Sequence, residues 1–252
     1  MTARFQGKRV YITGAASGMG QATALQLGAE GAELYCVDLN SEGVQNTVDA
    51  IKDAGGKATA ATLNVTSKED CVASIAAAVE VMGGLDILLN VAGLGGIARF
   101  ENETEQAWKL AFAVNVDGPF FLSQTALPHL LESKGNIVNV CSTAGMKGQA
   151  YMSSYVASKH ALRGLTQTMA LEFGKRGIRI NAVCPGGTKT AFLAAFSNIT
   201  EDMDISLIER NGLQEEMADA ADIAKSICFL ASDDASFVNG AMFSVDGGST
   251  AG

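Results

Sequence analysis

Tyr155 and Lys159 stand four residues apart in Ser153 to Phe173, a stretch that reads as a helix, so their side chains emerge on one face. A neutral phenol has a pKa of about 10, which leaves roughly one molecule in a thousand ionised at pH 7. Moving it to near 7 takes about 4 kcal/mol of preferential stabilisation of phenolate, at roughly 1.36 kcal/mol per unit. An ammonium about 4 Å away supplies an amount of that order where the effective dielectric is about 20. The pair can therefore act as a tunable acid and base. Ser142, at the end of an apolar run upstream, adds a hydroxyl that can donate to a carbonyl or alkoxide oxygen.

The N-terminal segment points to a cofactor that such a pair could serve. Glycines at 14, 18 and 20 follow the β-branched run Val10 to Thr13 and precede an Ala/Leu-rich stretch reaching Glu30. That order reads strand, turn, helix; the turn lets backbone approach a diphosphate, and the helix start meets the anion with free N–H groups. A glycine turn alone serves equally well as a tight connection. Asp38, ending the second apolar strand, is placed to accept hydrogen bonds from an adenosine ribose diol. Its carboxylate would repel a 2'-phosphate, and neither Leu39 nor Asn40 carries a compensating cation. NAD is thus favoured over NADP, and a nicotinamide ring would add positive charge beside Tyr155.

The elements that must position these groups alternate without a break. Strands are expected at 10–13, 32–37, 57–63, 85–89, 136–141, 178–184 and 241–245, and helices at 41–54, 67–82, 103–131, 153–173 and 220–231 besides the one after the glycines. Ser67, with Asp70 three residues on, is a candidate helix cap. Continuous apolar strands interleaved with helices predict an α/β three-layer fold, a parallel sheet covered on both faces. Ligands bind such sheets at the strand carboxyl ends, where Asn90-Val91-Ala92-Gly93, Ser142-Thr143-Ala144-Gly145 and Pro185-Gly186-Gly187 fall. No linker or repeat interrupts the chain, so 1–252 reads as one Rossmann-type domain. The exception to the rhythm is 187–217, a long excursion in which no strand is expected, of the kind that covers a site.

As a set, Thr13-Gly14-x-x-x-Gly18-x-Gly20, Asn90-x-Ala92-Gly93, Asn115, Ser142, Tyr155-x-x-x-Lys159, Asn181, Pro185-Gly186-x-x-x-Thr190 and Val245-Asp246-Gly247-Gly248 resemble the classical short-chain dehydrogenase/reductase family over essentially the whole chain. The resemblance implies a seven-stranded sheet ordered 3-2-1-4-5-6-7. It also implies that Ser142 orients the substrate oxygen, that Tyr155 is the acid/base, and that Lys159 binds the nicotinamide ribose and lowers the tyrosine pKa. Asn115 would hold a water linking Lys159 to solvent. The cofactor would be met by Gly14, Ser17, Gly18, Met19 and Gly20, by Asp38 and Leu39, by Asn64 and Val65, and by Asn90, Ala92 and Gly93. Beyond the sixth strand Pro185, Gly186, Thr188 and Thr190 would join them, and Tyr155 and Lys159 would meet the cofactor as well. Relatives of this type assemble as tetramers through the long helices. Two departures, Asn64-Val65 where the family has Asp-Val and Val91 within Asn-Asn-Ala-Gly, leave the reacting atoms untouched.

Composition excludes other classes. The 252 residues carry 18 Lys and Arg against 27 Asp and Glu, a net charge of -9 without a basic stripe, which disfavours nucleic acid. At 48% hydrophobic and 18% charged the chain can build a large core and is not a disordered scaffold. No run long enough to span a membrane and no signal-type stretch at the start is seen, so a cytoplasmic protein without membrane insertion is expected. The five cysteines are odd in number, widely spaced and read as core filler in a reducing compartment. Only His129 and His160 exist, too few and too far apart for a metal site. Ser142 lies outside any G-x-S-x-G elbow, and a methyltransferase would leave the serine, tyrosine and lysine without a task.

The substrate mouth is expected from Leu94, Ile97, Met146, Met152, Phe192, Leu193 and Phe196, with few fixed charges; Lys147 and Lys189 read as solvated. The sequence thus points to reversible hydride transfer between NAD and a largely apolar secondary alcohol or ketone. A 3-oxoacyl-thioester reductase of fatty-acid-synthesis type is the alternative enzyme, and a non-catalytic dinucleotide-binding subunit the alternative from another class.

Overall fold

Alternation along the apolar strands decides which helix lies where. The structure, a computed structural model, describes residues 3–190, 199–209 and 217–251. Its main sheet contains β1 (Arg9–Thr13), β2 (Glu33–Asp38), β3 (Lys57–Thr62), β4 (Ile87–Asn90), β5 (Asn136–Val140), β6 (Arg179–Pro185) and β9 (Met242–Val245). All pairs are parallel and the order is β3-β2-β1-β4-β5-β6-β9. This is the expected arrangement, with β9 as the seventh strand of the sheet. Along β1, Val10 and Ile12 face one core and Tyr11 the other. The first core is closed by α1 (Gly18–Ala29), α2 (Ser41–Asp53) and α8 (Ala220–Ala231) through Leu27, Ile51 and Ile227. The second is closed by α3 (Lys68–Met82), α5 (Gly118–Ser133) and α6 (Ser153–Phe173) through Ile75, Leu122 and Ala170. Burying each large aliphatic side chain contributes about 1.5–3 kcal/mol, so a sheet covered on both faces holds the strand tips rigidly.

Local signals hold where they were strongest. Ser67 Oγ accepts the N–H of Asp70 at 3.1 Å, capping α3. Asn181, in β6, donates to Val238 O at 2.8 Å and accepts from the N–H of Ala241 at 2.9 Å, which places the last strand.

Two expectations are corrected. The helix read over 103–131 is broken into α4 (Glu105–Phe112), a π-helical turn at Ala113–Asp117, and α5. Pro119 has no N–H to give the carbonyl of Asn115, four residues back, and its ring crowds that carbonyl. The chain widens instead, and Gly118 N–H reaches Ala113 O, five residues back. The 187–217 excursion is not strandless either. A two-residue parallel pair, β7 (Thr188–Lys189) with β8 (Ala218–Asp219), ties its ends together, and a short α7 (Ile205–Glu209) lies between them.

Candidate active site

The site opens at the carboxyl ends of β1 and β4, and one hydroxyl stitches these together. Thr13 Oγ1 accepts the N–H groups of Val91 and Ala92, each at 3.0 Å. Gly14 follows with φ of 71°, and a Cβ there would stand 2.8 Å from Ala92 N. A Cβ on Gly20 would sit 2.0 Å from Gly14 O, so only glycine lets α1 begin this close under the turn. Ser17, the cap position of α1, makes no side-chain capping bond, and no acidic residue occupies the first turn. The helix start is therefore open to an anion.

At the end of β2, Asp38 is held from both sides. Its Oδ2 accepts from Ala16 N at 3.0 Å and its Oδ1 from Asn40 N at 2.9 Å. The carboxylate is fixed at the rim and also braces the glycine turn. A cavity of about 350 Å³ runs from here across the strand tips. Of the residues expected at the cofactor, Gly14, Ser17, Gly18, Met19, Gly20, Asp38, Leu39, Asn64, Val65, Ala92, Gly93 and Thr190 line it. A narrow glycine cradle, an uncapped helix start and a fixed rim carboxylate fit a dinucleotide bearing a free ribose diol.

Beyond Gly93 the reacting groups converge. The π turn carries Asn115 fully into the interior, where Oδ1 accepts Leu94 N–H at 2.8 Å and Nδ2 donates to Leu94 O at 2.7 Å and Ser158 Oγ at 3.0 Å. Ser158 in turn donates to Tyr155 O at 2.8 Å, so one amide clamps the β4 tip to the helix that bears the tyrosine. Tyr155 is 7% exposed and Lys159 3%. Lys159 Nζ donates to Val140 O at 2.9 Å and stands 5.7 Å from the centre of the Tyr155 ring. Ser142, just past β5, hydrogen-bonds the Tyr155 side chain and accepts from Ala144 N–H at 3.1 Å.

The electrostatics differ from the sequence expectation. Burial raises the Tyr155 phenol above its ordinary value, and the hydrogen bond with Ser142 offsets only part of that. The same burial lowers the Lys159 ammonium. Four residues of spacing bring the two groups together, but a dry pocket penalises phenolate and ammonium alike. In the protein alone the tyrosine is a neutral phenol, a proton donor; making it a base requires positive charge beside it.

The remaining expected residues are placed as follows. The Asn90 side chain turns inward and donates to Asn139 Oδ1 at 2.8 Å, within a buried chain that continues from Asn139 to Thr166 Oγ1 at 2.9 Å. Asn64 Oδ1 is taken up by Thr66, through N–H at 3.1 Å and hydroxyl at 2.8 Å. Pro185 ends β6, and Gly186 packs so closely on Asp246 that a Cβ would lie 2.9 Å from its Cα. Thr188 is buried, its hydroxyl donating to Gly186 O at 3.1 Å. Lys147 donates to Ser249 O at 3.0 Å and Lys189 pairs with Asp219 at 3.4 Å, so both cations have partners away from the mouth. Phe192, Leu193 and Phe196 lie outside the described residues. All five cysteines are buried free thiols, and burial pushes Cys36 and Cys228 up to about 12, consistent with core filler. Among the described residues no cluster fits a metal ion, and no helix is long and apolar enough to cross a membrane.

Sequence reasoning passed over three contributors. Thr13 was visible as a hydroxyl ending a strand before the first glycine, yet its double acceptor role depends on how β4 lies beside β1. Ser158 and the Val140 carbonyl carried no signal beyond adjacency to Tyr155, Lys159 and Ser142.

Comparison with known proteins finds matches along the whole chain. A family model described as Enoyl-(Acyl carrier protein) reductase matches residues 14–250. The chain is similar to the cyclohexanol dehydrogenase of Acinetobacter sp. (strain SE19), 40% identical over 252 residues that cover 99% of this chain and 98% of that one. It is 38% identical to the 2,5-dichloro-2,5-cyclohexadiene-1,4-diol dehydrogenase of Sphingobium indicum over 256 residues, with full coverage of both. Among solved structures, carveol dehydrogenase from Mycobacterium avium in complex with NAD matches with a TM-score of 0.90 at 28% identity over 100% of each chain.

Proposed function

The chain belongs to the short-chain dehydrogenase/reductase family, and we propose that within it the protein interconverts a six-membered carbocyclic secondary alcohol and its ketone with NAD(H). The observation that carries this reading is the buried Tyr155, hydrogen-bonded to Ser142, over Lys159 at the end of a dinucleotide groove rimmed by Asp38. Asp38 is an anion without a neighbouring cation at Leu39 or Asn40, which supports NAD and disfavours the NADP-linked 3-oxoacyl-thioester alternative. Two relatives named for cyclohexanol and a cyclohexadiene diol, together with the buried Met152 packed with Tyr155 and the apolar cluster of Ile97 and Met203 against the preceding Tyr151, support a compact ring as substrate.

When bound, NAD supplies the hydride acceptor and a positive charge, and NADH the hydride donor. The chain's own residues handle the proton. Ser142 donates to the substrate oxygen and fixes its place beside the Tyr155 hydroxyl. In ketone reduction Tyr155, held neutral by burial, gives its proton to the forming alkoxide; in alcohol oxidation it takes that proton back. Lys159, anchored on Val140 O, holds the nicotinamide ribose and biases the phenol toward ionisation. A Cβ on Gly93 would lie 3.4 Å from Lys159 Nζ and 3.5 Å from Asn115 Oδ1, so these polar atoms converge on one spot. That convergence supports a water there, passing protons outward. The exposed Trp108, Phe120 and Leu171 on α4, α5 and α6 support assembly as a homotetramer, and we place the protein in the cytoplasm.

The test is NADH formation at 340 nm across cyclic and open-chain secondary alcohols, with NAD and NADP compared by kcat/KM. Turnover of cyclohexanol with NAD preferred is expected. Preference for NADP would overturn the cofactor assignment. NADH binding without turnover of any alcohol or ketone would favour the non-catalytic subunit.

A further inference from the structure

Tyr151 immediately precedes Met152, which packs with Tyr155, and stands outside the acid/base machinery in a backbone conformation that a tyrosine rarely adopts. Its φ is 62°, in the left-handed region. Only Lys134 shares a positive φ among the described non-glycine residues, and that residue ends α5. Strain at a bulky residue persists where its surroundings over-determine it, and here three interactions do so. The Tyr151 carbonyl accepts Ala98 N–H at 2.9 Å. Its ring packs against the buried Ile97, Met203 and Ile208. Its hydroxyl accepts Asp204 N–H at 3.0 Å, and Asp204 Oδ1 in turn accepts from Ser206 N at 2.9 Å and Ser206 Oγ at 2.7 Å at the start of α7. Arg99, one residue beyond Ala98, is itself tied to the 199–209 segment, donating to Asp202 Oδ2 at 2.9 Å. Immediately after Tyr151, Met152 packs with Tyr155 and Ala144.

We propose that Tyr151 is a positioning residue whose hydroxyl seats the 199–209 segment against the mouth, so that it sets the affinity for the substrate without taking part in proton or hydride transfer. The proposal rests on the dehydrogenase reading above, since the mouth it shapes is the one beside Tyr155. The ring end of the substrate is the part such a wall meets, while the reacting oxygen is held elsewhere, by Ser142 and Tyr155. Losing the hydroxyl should therefore weaken substrate binding and leave the chemistry intact.

Tyr151→Phe keeps the ring in its apolar cluster and removes only the oxygen. Loss of one net hydrogen bond predicts a KM for cyclohexanol raised about fivefold and an Asp204 amide that exchanges with deuterium about fivefold faster. The kcat and the Kd for NADH should stay unchanged. Tyr151→Ala, which also empties the apolar cluster, should raise KM further. Unchanged Asp204 exchange, or faster exchange with an unchanged KM, in an enzyme that still turns over would overturn the proposal while leaving the dehydrogenase reading standing. A fall in kcat equal to the rise in KM would also overturn it, by making Tyr151 part of the chemistry. Failure of the unaltered protein to oxidise any alcohol would overturn the dehydrogenase reading and the KM claim with it.

Discussion

Replacing Tyr155 with phenylalanine is expected to lower alcohol turnover by about 10²–10⁴-fold, the usual worth of a positioned general acid or base, and to leave NADH affinity unchanged. The ring packs in a buried cluster with Ala144 and Met152, and phenylalanine fills the same space. What disappears is one hydroxyl and its hydrogen bond with Ser142. Because Tyr155 lies beyond the residues lining the diphosphate and adenosine part of the groove, cofactor binding has little to lose. The measurement is kcat for cyclohexanol oxidation alongside NADH titrated by fluorescence. Substantial residual turnover would remove Tyr155 from its assigned role, whereas a parallel loss of NADH binding would mean that the substitution had damaged the pocket.

Asp38→Ala should raise the Kd for NADH about 10- to 100-fold, the range for losing hydrogen bonds to a charged acceptor. The argument has two parts. A carboxylate at the end of β2 can accept both hydroxyls of a ribose diol, and this one is already fixed by Ala16 N at 3.0 Å and Asn40 N at 2.9 Å. Removing it would delete the expected ribose contact and also free the glycine turn that it braces. Removal of the anion equally lifts repulsion against a 2'-phosphate, so the ratio of NAD(H) to NADP(H) affinity should fall. Asp38→Asn, which keeps an acceptor but not the charge, should lie between the parent and the alanine variant. An unchanged Kd for NADH in Asp38→Ala would show that the ribose is bound elsewhere.

How far these conclusions could be read from the sequence depends on the distance over which each effect acts. Strands such as Val10 to Ile12 and Ile87 to Leu89 are continuous apolar runs, and a run of that kind has few places to go except the middle of a covered sheet. Sheet order and the full set of expected groove residues came only with the family resemblance, whereas Gly14, Gly20 and Asp38 were legible by themselves because they act through their own backbone or through immediate neighbours. The break at Ala113–Asp117 was hidden because Ala-Val-Asn-Val-Asp is compatible with helix. Its cause, Pro119, was in plain view, four residues after a carbonyl to which it has no N–H to donate. The inward turn of Asn90 depends on Asn139, supplied by the neighbouring strand, and no local pattern carries it. The sign of the Tyr155 shift was missed for a similar reason. Spacing reports that a lysine is near, whereas the desolvation opposing it comes from the whole fold.

The central claim is that the Tyr155 phenol is the group that gains and loses the proton, and its pH dependence tests this most directly. Oxidation needs the ionised phenol, so kcat/KM for cyclohexanol with NAD should rise with pH to a plateau. Reduction needs the neutral phenol, so kcat/KM for cyclohexanone with NADH should fall at alkaline pH. The oxidation inflection should come at the lower pH, because only there does a positive ring lie beside the phenol and offset the burial that raises it. In Tyr155→Phe the residual rates should lose both inflections. An oxidation profile that is flat or falling between about pH 6 and 10, or inflections that survive in the phenylalanine variant, would contradict the account.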